Sequence, residues 1–154
     1  MTAHPRALFQ QLSARLPSPA PALERLDGWT PFGVRQLLVE TPLNRLFAGA
    51  IADGTLEPLY GRRIRLELAD SDWGITIGYW EDRLRYLEGP GEVTIRGTGA
   101  AFRSLLEREE DPDQLFFRRE LIILGDTELG LMVKNILDAT EWDLRELMPA
   151  PLRR

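Results

Sequence analysis

The chain has 154 residues, a length typical of one domain, and its 24 acidic and 19 basic residues give a formal net charge of −5. This acidic balance argues against nucleic-acid binding, which normally needs a basic surface. With no cysteine and a single histidine, His4, the sequence excludes disulfides, thiolate catalysis and iron–sulfur ligation, together with most histidine-based chemistry. No stretch approaches the roughly 18 continuous apolar residues of a membrane span and no secretory signal is evident. We therefore expect a cytoplasmic protein without a metal or cofactor.

Residues 1–28 are predicted to form an amphipathic helix followed by a stiff connector. The apolar residues of the helix, at 3–16, share one face: Leu8, Phe9, Leu12 and Leu16. The proline-rich run at 17–21 cannot continue that helix. Two interpretations stay open, because such a helix can fold back on its own domain or dock against a membrane surface or a partner.

Two threonine–proline pairs each predict the start of a helix. In Thr30-Pro31 and in Thr41-Pro42, the threonine can cap the helix while the proline takes the first helical position. The second pair precedes apolar residues at helical spacing, and Gly54 is expected to end that helix. These apolar residues are Leu43, Leu46, Phe47, Ala50 and Ile51.

Between Leu56 and Arg96 the apolar residues recur at every second position, which predicts four short strands. They are Ile64, Leu66, Leu68, Ile75, Ile77, Leu84, Tyr86, Val93 and Ile95. Short turns between the strands favour an antiparallel meander with one solvent-exposed face. Carboxylates in hairpin turns are usually exposed to solvent, whereas a carboxylate pair that performs acid–base catalysis needs an enclosed pocket. We therefore interpret the turn carboxylates as solvated groups. They are Asp70, Asp72, Glu81 and Asp82.

Beyond the strands, Thr98 is predicted to cap a helix that contains Ala101, Phe102, Leu105 and Leu106. Asp111 and Pro112 predict the start of a short helix through Phe117, with Gln114 placed for a capping box. The apolar run Leu121–Leu124 predicts a strand covered on both faces.

A last helix is predicted to begin at Asp126, after the turn at Gly125. Its apolar stripe consists of Leu129, Met132, Val133, Ile136 and Leu137. Lys134 and Asp138, four residues apart, are expected to pair on the other side. Residues 142–154 are expected to form a tail. This order of elements predicts an α+β domain with helices over one face of a mainly antiparallel sheet. The order is helices, a β-meander, a helix, a strand and a last helix.

Two clusters suggest other sites. The turn Gly97-Thr98-Gly99 superficially resembles a dinucleotide-binding loop, but it lacks the third glycine and follows antiparallel strands, so we interpret it as a helix cap. The arginines Arg62, Arg63 and Arg65 could meet an anionic headgroup, although the exposed face of a strand explains Arg63 and Arg65 equally well. For the arginines, both interpretations stay open.

Three segments resemble a known family. The stretch Asp111–Glu141, DPDQLFFRRELIILGDTELGLMVKNILDATE, is similar to the C-terminal signature of sterol-carrier-protein lipid-binding domains, and within them to bacterial accessory factors of ubiquinone biosynthesis. Residues 29–32 (WTPF) and 46–56, which lead into the first strand, match the same group. The resemblance therefore covers a domain at residues 29–141.

The resemblance implies five strands and helices that enclose an apolar lipid tunnel, with no catalysis by this chain. It implies that polyprenyl-phenol precursors of ubiquinone bind in the tunnel and are presented to the hydroxylating proteins UbiU and UbiV in oxygen-independent synthesis. Apolar binding without many polar anchors also predicts that phospholipids bind. A full polyprenyl tail would strain such a pocket, so we expect part of it to stay in the membrane or against a partner, with peripheral membrane contact. The expected lipid-binding residues are Phe47, Ile51, Leu66, Leu68, Ile75, Ile77, Phe116, Leu129, Met132, Val133 and Ile136.

Three alternatives stay open. A general phospholipid or fatty-acyl carrier would have the same apolar surplus. An interaction scaffold would use the same residues as a filled core, and an uncharacterised enzyme would need a catalytic constellation that the sequence does not display.

Overall fold

The described part of the computed structural model, residues 31–147, places its helices over a five-stranded sheet. The helices are α1 (Phe32–Leu46), α2 (Ala48–Ala52), α3 (Gly99–Glu107), α4 (Pro112–Phe117) and α5 (Thr127–Ala139), with 3₁₀ turns at Glu57–Leu59 and Leu144–Leu147. The strands are β1 (Arg63–Leu68), β2 (Gly74–Trp80), β3 (Arg83–Leu87), β4 (Val93–Gly97) and β5 (Leu121–Gly125). The α+β prediction is confirmed. The predicted N-terminal helix, its connector, the cap at Thr30 and the end of the tail from residue 148 onward lie outside the described residues.

The strand order is β3-β2-β1-β4-β5. Every neighbouring pair is antiparallel except β1 and β4, which run parallel. The prediction of a mainly antiparallel sheet is therefore confirmed, whereas a simple meander is correct only for β1 to β3. Parallel pairing places Leu66 of β1 beside Ile95 of β4 in register, so that apolar residues face the same side.

The helix start predicted at Thr41-Pro42 is wrong, because Pro42 lies inside α1. Proline in a helix interior costs about 3 kcal/mol or more, since one backbone hydrogen bond is lost and the ring crowds the preceding turn. Contacts with strand β3 offset that cost: the Glu40 carboxylate accepts a hydrogen bond from Tyr86 N at 2.8 Å, and Asn44 bonds the backbone of Leu84. Helix α1 ends at Leu46 and the chain re-enters a helix at Ala48, so the break between the two helices lies at Phe47 rather than at Thr41-Pro42.

Two of the predicted caps are confirmed. The Thr98 hydroxyl accepts from Ala101 N at 3.1 Å, and the Asp126 carboxylate accepts from Leu129 N at 3.0 Å. Both satisfy a free N–H of the first helical turn. These signals are local, which is why the sequence reveals them.

Other polar predictions in the same region are wrong. Asp111 stands at the start of α4, where its backbone carbonyl accepts from the N–H groups of Gln114 and Leu115, but its side chain makes no cap hydrogen bond. No Gln114 capping box forms there. Lys134 pairs with Asp113 rather than with Asp138, because α4 packs beside α5 and brings Asp113 to it.

Strand β5 is not covered on both faces as predicted. It is the edge strand of the sheet, and Leu124 on its outer side is 44% exposed. Helix α5 covers only its inner side. A continuous apolar run cannot distinguish a central strand from an edge strand with one open face.

Helix α5 approaches the inner face of the sheet closely at Gly130. A Cβ built at this glycine would lie 2.3 Å from Cγ2 of Ile123 and 3.3 Å from Cγ2 of Val93. The helix axis therefore stands nearer to the sheet than a larger residue would permit. Val93 and Leu129, on the two sides of this contact, are almost fully buried.

Candidate lipid-binding site

Nine of the eleven apolar residues predicted to bind lipid lie in one core or pack against it. Helix α1 runs along β3, whereas α5 packs on β4 and β5. The central strands β1 and β2 lie between these two helices in the sheet. On the inner face of these strands, Leu66 stands opposite Ile75, and Ile77 stands opposite Ile64.

The predicted residues divide by burial. Three of them, Leu129, Val133 and Ile136, lie inside the buried core, at 1%, 6% and 8% exposure. Six pack against that core and are half-buried, and we name them the half-buried set: Phe47, Ile51, Leu66, Ile77, Phe116 and Met132. Leu68 is buried and Ile75 half-buried, and both lie outside this cluster. A ligand can reach the half-buried set with less rearrangement than it would need to reach the core.

The break between α1 and α2 sets the position of Phe47. Phe47 has a backbone conformation outside the helical range, and its N–H bonds Leu43 O at 3.0 Å while its carbonyl accepts from Ile51 N at 2.9 Å. Both Phe47 and Ile51 are thereby directed at the core.

Trp142 is a residue that the sequence reasoning missed. Its ring lies 5.7 Å from that of Phe47, its indole N–H donates to Leu106 O at 2.8 Å, and the Arg108 guanidinium stands 3.9 Å from the ring centroid. Arg108 also donates to Leu137 O at 3.2 Å. The start of the predicted tail thus joins α2, α3 and α5 beside the half-buried set. A tryptophan in an otherwise polar segment, Thr140 to Asp143, was the available signal.

Few polar groups lie near this apolar region. Burial and the neighbouring Asp82 carboxylate raise the pKa of Tyr79, whose hydroxyl bonds Asp82 Oδ1 at 3.3 Å. The side-chain and backbone hydrogen bonds that Asp53 accepts from Thr55 lower its pKa, on the exposed turn after α2. Within residues 31–147, no group of three or more histidine, cysteine or acidic side chains could hold a metal ion.

The two other sequence clusters have defined places in the fold. At the turn after β4, Thr98 caps α3, and a Cβ at Gly97 would lie 2.4 Å from Cδ2 of Leu121, so that this glycine permits close strand packing. Arg62 bonds Glu92 at 3.1 Å and Asp126 at 3.0 Å. Arg63 and Arg65 belong to the outer face of the sheet, away from the helices. In the part of the chain described, no helix is long and apolar enough to cross a bilayer.

Comparison with known proteins decides the family. The model of the SCP-2 sterol transfer family matches residues 43–138, well over half of the chain. The chain belongs to the SCP-2 sterol transfer family. This span includes all five strands of the sheet, helices α2 to α4 and nearly all of α5, and it begins in the last turn of α1.

Two further relatives agree with this assignment to the SCP-2 family. The ubiquinone biosynthesis accessory factor UbiT of Escherichia coli (strain K12) is 37% identical over 125 residues, which cover 80% of this chain and 70% of UbiT. Among solved structures, a UbiJ-SCP2 ubiquinone synthesis protein aligns with a TM-score of 0.55 and 21% identity, covering 79% of this chain and 99% of that one. The latter likeness supports the SCP-2 fold alone.

Proposed function

We propose that this chain is a non-catalytic lipid-binding accessory factor of oxygen-independent ubiquinone biosynthesis, which binds polyprenyl-phenol intermediates and presents them to hydroxylating partners. The observation that carries the proposal is the half-buried set, six apolar side chains from α2 and its start, the central strands, α4 and α5 that pack against one core. The name of the 37% identical relative, a ubiquinone biosynthesis accessory factor, supports the pathway.

The binding chemistry follows from apolar contact. Burial of each methylene contributes about 0.8 kcal/mol, so two or three isoprene units supply several kcal/mol of affinity without directional contacts. Typical ligand pockets measure roughly 300–1,000 Å³, which a complete polyprenyl tail would fill or exceed. Part of the tail therefore stays in the membrane or against a partner.

Apolar contact also predicts loose specificity. With few polar anchors near the half-buried set, phospholipids and fatty-acyl chains should compete for the same site. Recovery of phospholipids alone would favour the alternative of a general lipid carrier.

In this proposal the chain itself catalyses no reaction. Hydroxylation of the cargo is assigned to partner proteins of the UbiU and UbiV type, in the cytoplasm or at the membrane surface. His4 and the absence of cysteine leave few catalytic options. A His4→Ala variant is expected to support ubiquinone formation in anaerobic cells as well as the parent does, and a large loss would revive a catalytic role.

Native mass spectrometry of the purified protein tests the proposal. The expected result is a stoichiometric lipid that includes polyprenyl-phenols when the host grows without oxygen. A protein that is free of lipid, and that binds no added polyprenyl-phenol, would contradict the proposal and favour an interaction scaffold with a filled core.

A further inference from the structure

The outer face of the sheet, opposite the helices, concentrates arginine. Strand alternation and register put five arginine residues on it. They belong to Arg63, Arg65, Arg83, Arg85 and Arg96, and we name this surface the arginine face. In the register, Gly78 of β2 separates Arg63 from Arg85.

Carboxylates only partly neutralise the arginine face. Glu67 bonds Arg65 at 3.0 Å and lies 3.6 Å from Arg96, Glu81 bonds Arg85 at 2.8 Å, and Glu40 lies 3.8 Å from Arg83. Two net positive charges remain among these groups, whereas the whole chain carries −5. The acidic turn residues stand at the ends of the strands. The named groups of the arginine face therefore present an excess of positive charge to an anionic partner, although the chain as a whole is acidic.

Two glycines let large side chains lie flat on this face. A Cβ at Gly78 would lie 1.9 Å from the Trp80 indole, and one at Gly74 would lie 2.9 Å from the Arg65 guanidinium. Arg63 is held in turn by the carbonyls of Pro90, at 3.1 Å, and Glu88. The guanidinium groups and the indole are therefore positioned before any partner arrives, which lowers the entropic cost of binding.

We propose that the arginine face is the surface by which this protein docks onto an anionic lipid bilayer. The inference rests on the proposed lipid-carrying function, because a carrier of polyprenyl lipids must collect its cargo from a membrane. Arginine and tryptophan are the residues that membrane–water interfaces favour, and each cationic side chain near an anionic bilayer strengthens binding about fivefold. Leu124, 44% exposed on the same side of β5, adds apolar contact.

A protein partner with a carboxylate-rich surface is the competing occupant. Arginine and tryptophan are enriched in protein interfaces too, where anchors usually fill pockets. On the arginine face, Trp80 itself covers the gap above Gly78, so that the centre is filled rather than concave. This favours a broad planar surface such as a layer of lipid headgroups.

Vesicle binding by the full-length protein tests the proposal. The probes are vesicles of phosphatidylglycerol mixed with phosphatidylcholine, and vesicles of phosphatidylcholine alone. We expect binding to the mixed vesicles only, reversed by added salt because salt screens the attraction. The double variant Arg85→Gln/Arg96→Gln should bind about 25-fold more weakly, from two fivefold factors.

The matched control is Arg45→Gln/Arg103→Gln, which removes the same charge from α1 and α3 and should bind within about twofold of the parent. Equal loss in both double variants, equal binding to both vesicles, or no vesicle binding by the parent would overturn the proposal. The proposal would also be overturned if Arg85→Gln/Arg96→Gln bound vesicles normally but failed to support ubiquinone formation. That result would assign the arginine face to a protein partner. Affinity for a fluorescent lipid added in solution without vesicles should be the same in both double variants, so failure of docking is distinguishable from failure of lipid carriage.

Discussion

The Asn44 side chain pairs with both backbone groups of Leu84. Its Oδ1 accepts from Leu84 N at 2.8 Å, and its Nδ2 donates to Leu84 O at 2.8 Å. Together with the bond from Tyr86 N to Glu40, this contact gives strand β3 the hydrogen bonds that another strand would otherwise supply. Helix α1 thereby covers the β3 edge, and an uncovered edge would be a site for association with other chains.

The first prediction concerns this contact. Asn44→Ala should lower the free energy of unfolding by about 2–3 kcal/mol, because it leaves two backbone groups of the buried Leu84 without partners. Urea unfolding measures the loss. Asn135→Ala, on the exposed side of α5, is the control and should change stability by about 0.5 kcal/mol or less. Equal effects in the two variants would show that the Leu84 contact adds nothing.

A second prediction compares two helical glycines. Gly130→Ala should destabilise the fold by about 1–3 kcal/mol, since the new methyl group would collide with Ile123 and push α5 from the sheet. Gly49→Ala, in α2, meets nothing within 4 Å and should stabilise by about 0.5–1 kcal/mol through lower unfolded-state entropy. Thermal melting of both variants checks the signs, and stabilisation by Gly130→Ala would refute the close approach of α5.

The raised pKa of Tyr79 predicts a loss of stability at high pH. Burial and Asp82 keep the phenol protonated in the folded state, so its contribution is fully present below the unfolded pKa of about 10 and is lost as pH rises above it. The stability of Tyr79→Phe should therefore fall less than that of the parent above pH about 10. Urea unfolding at several alkaline pH values measures the free energy of unfolding of both proteins. If the two free energies fell in parallel with pH, the raised pKa of Tyr79 would be contradicted.

Local signals in the sequence identified much of the fold. Thr98 and Asp126 mark helix starts because a cap depends only on residues three positions away. The alternation from Ile64 to Ile95 likewise located the strands. The helix start predicted at Pro42 was wrong because that signal is local too. The free-energy cost of a proline inside the helix is outweighed by contacts with β3, about 40 residues further along the chain.

The site was less predictable than the fold. The resemblance indicated which residues to expect at a lipid site, but it could not separate Leu129, which is buried in the core, from Met132, which is half-buried at its boundary. Trp142 and the arginine face depend on which strands and helices are neighbours. Parallel pairing of β4 with β1, for example, brings Arg96 to Glu67, and no spacing in the sequence reveals that pairing.

Lipid displacement from a Met132→Trp variant tests the central claim most directly. Met132 is half-buried at the edge of the core, and its flexible side chain can adapt to different lipid chains. The account predicts that the bulky indole occupies the lipid site, so the folded variant binds a fluorescent lipid at least tenfold more weakly and loses about 1–3 kcal/mol of stability in thermal melting. The control Leu131→Trp, on the exposed side of α5, should bind as the parent does. A folded Met132→Trp protein with the lipid affinity of the parent would contradict the account.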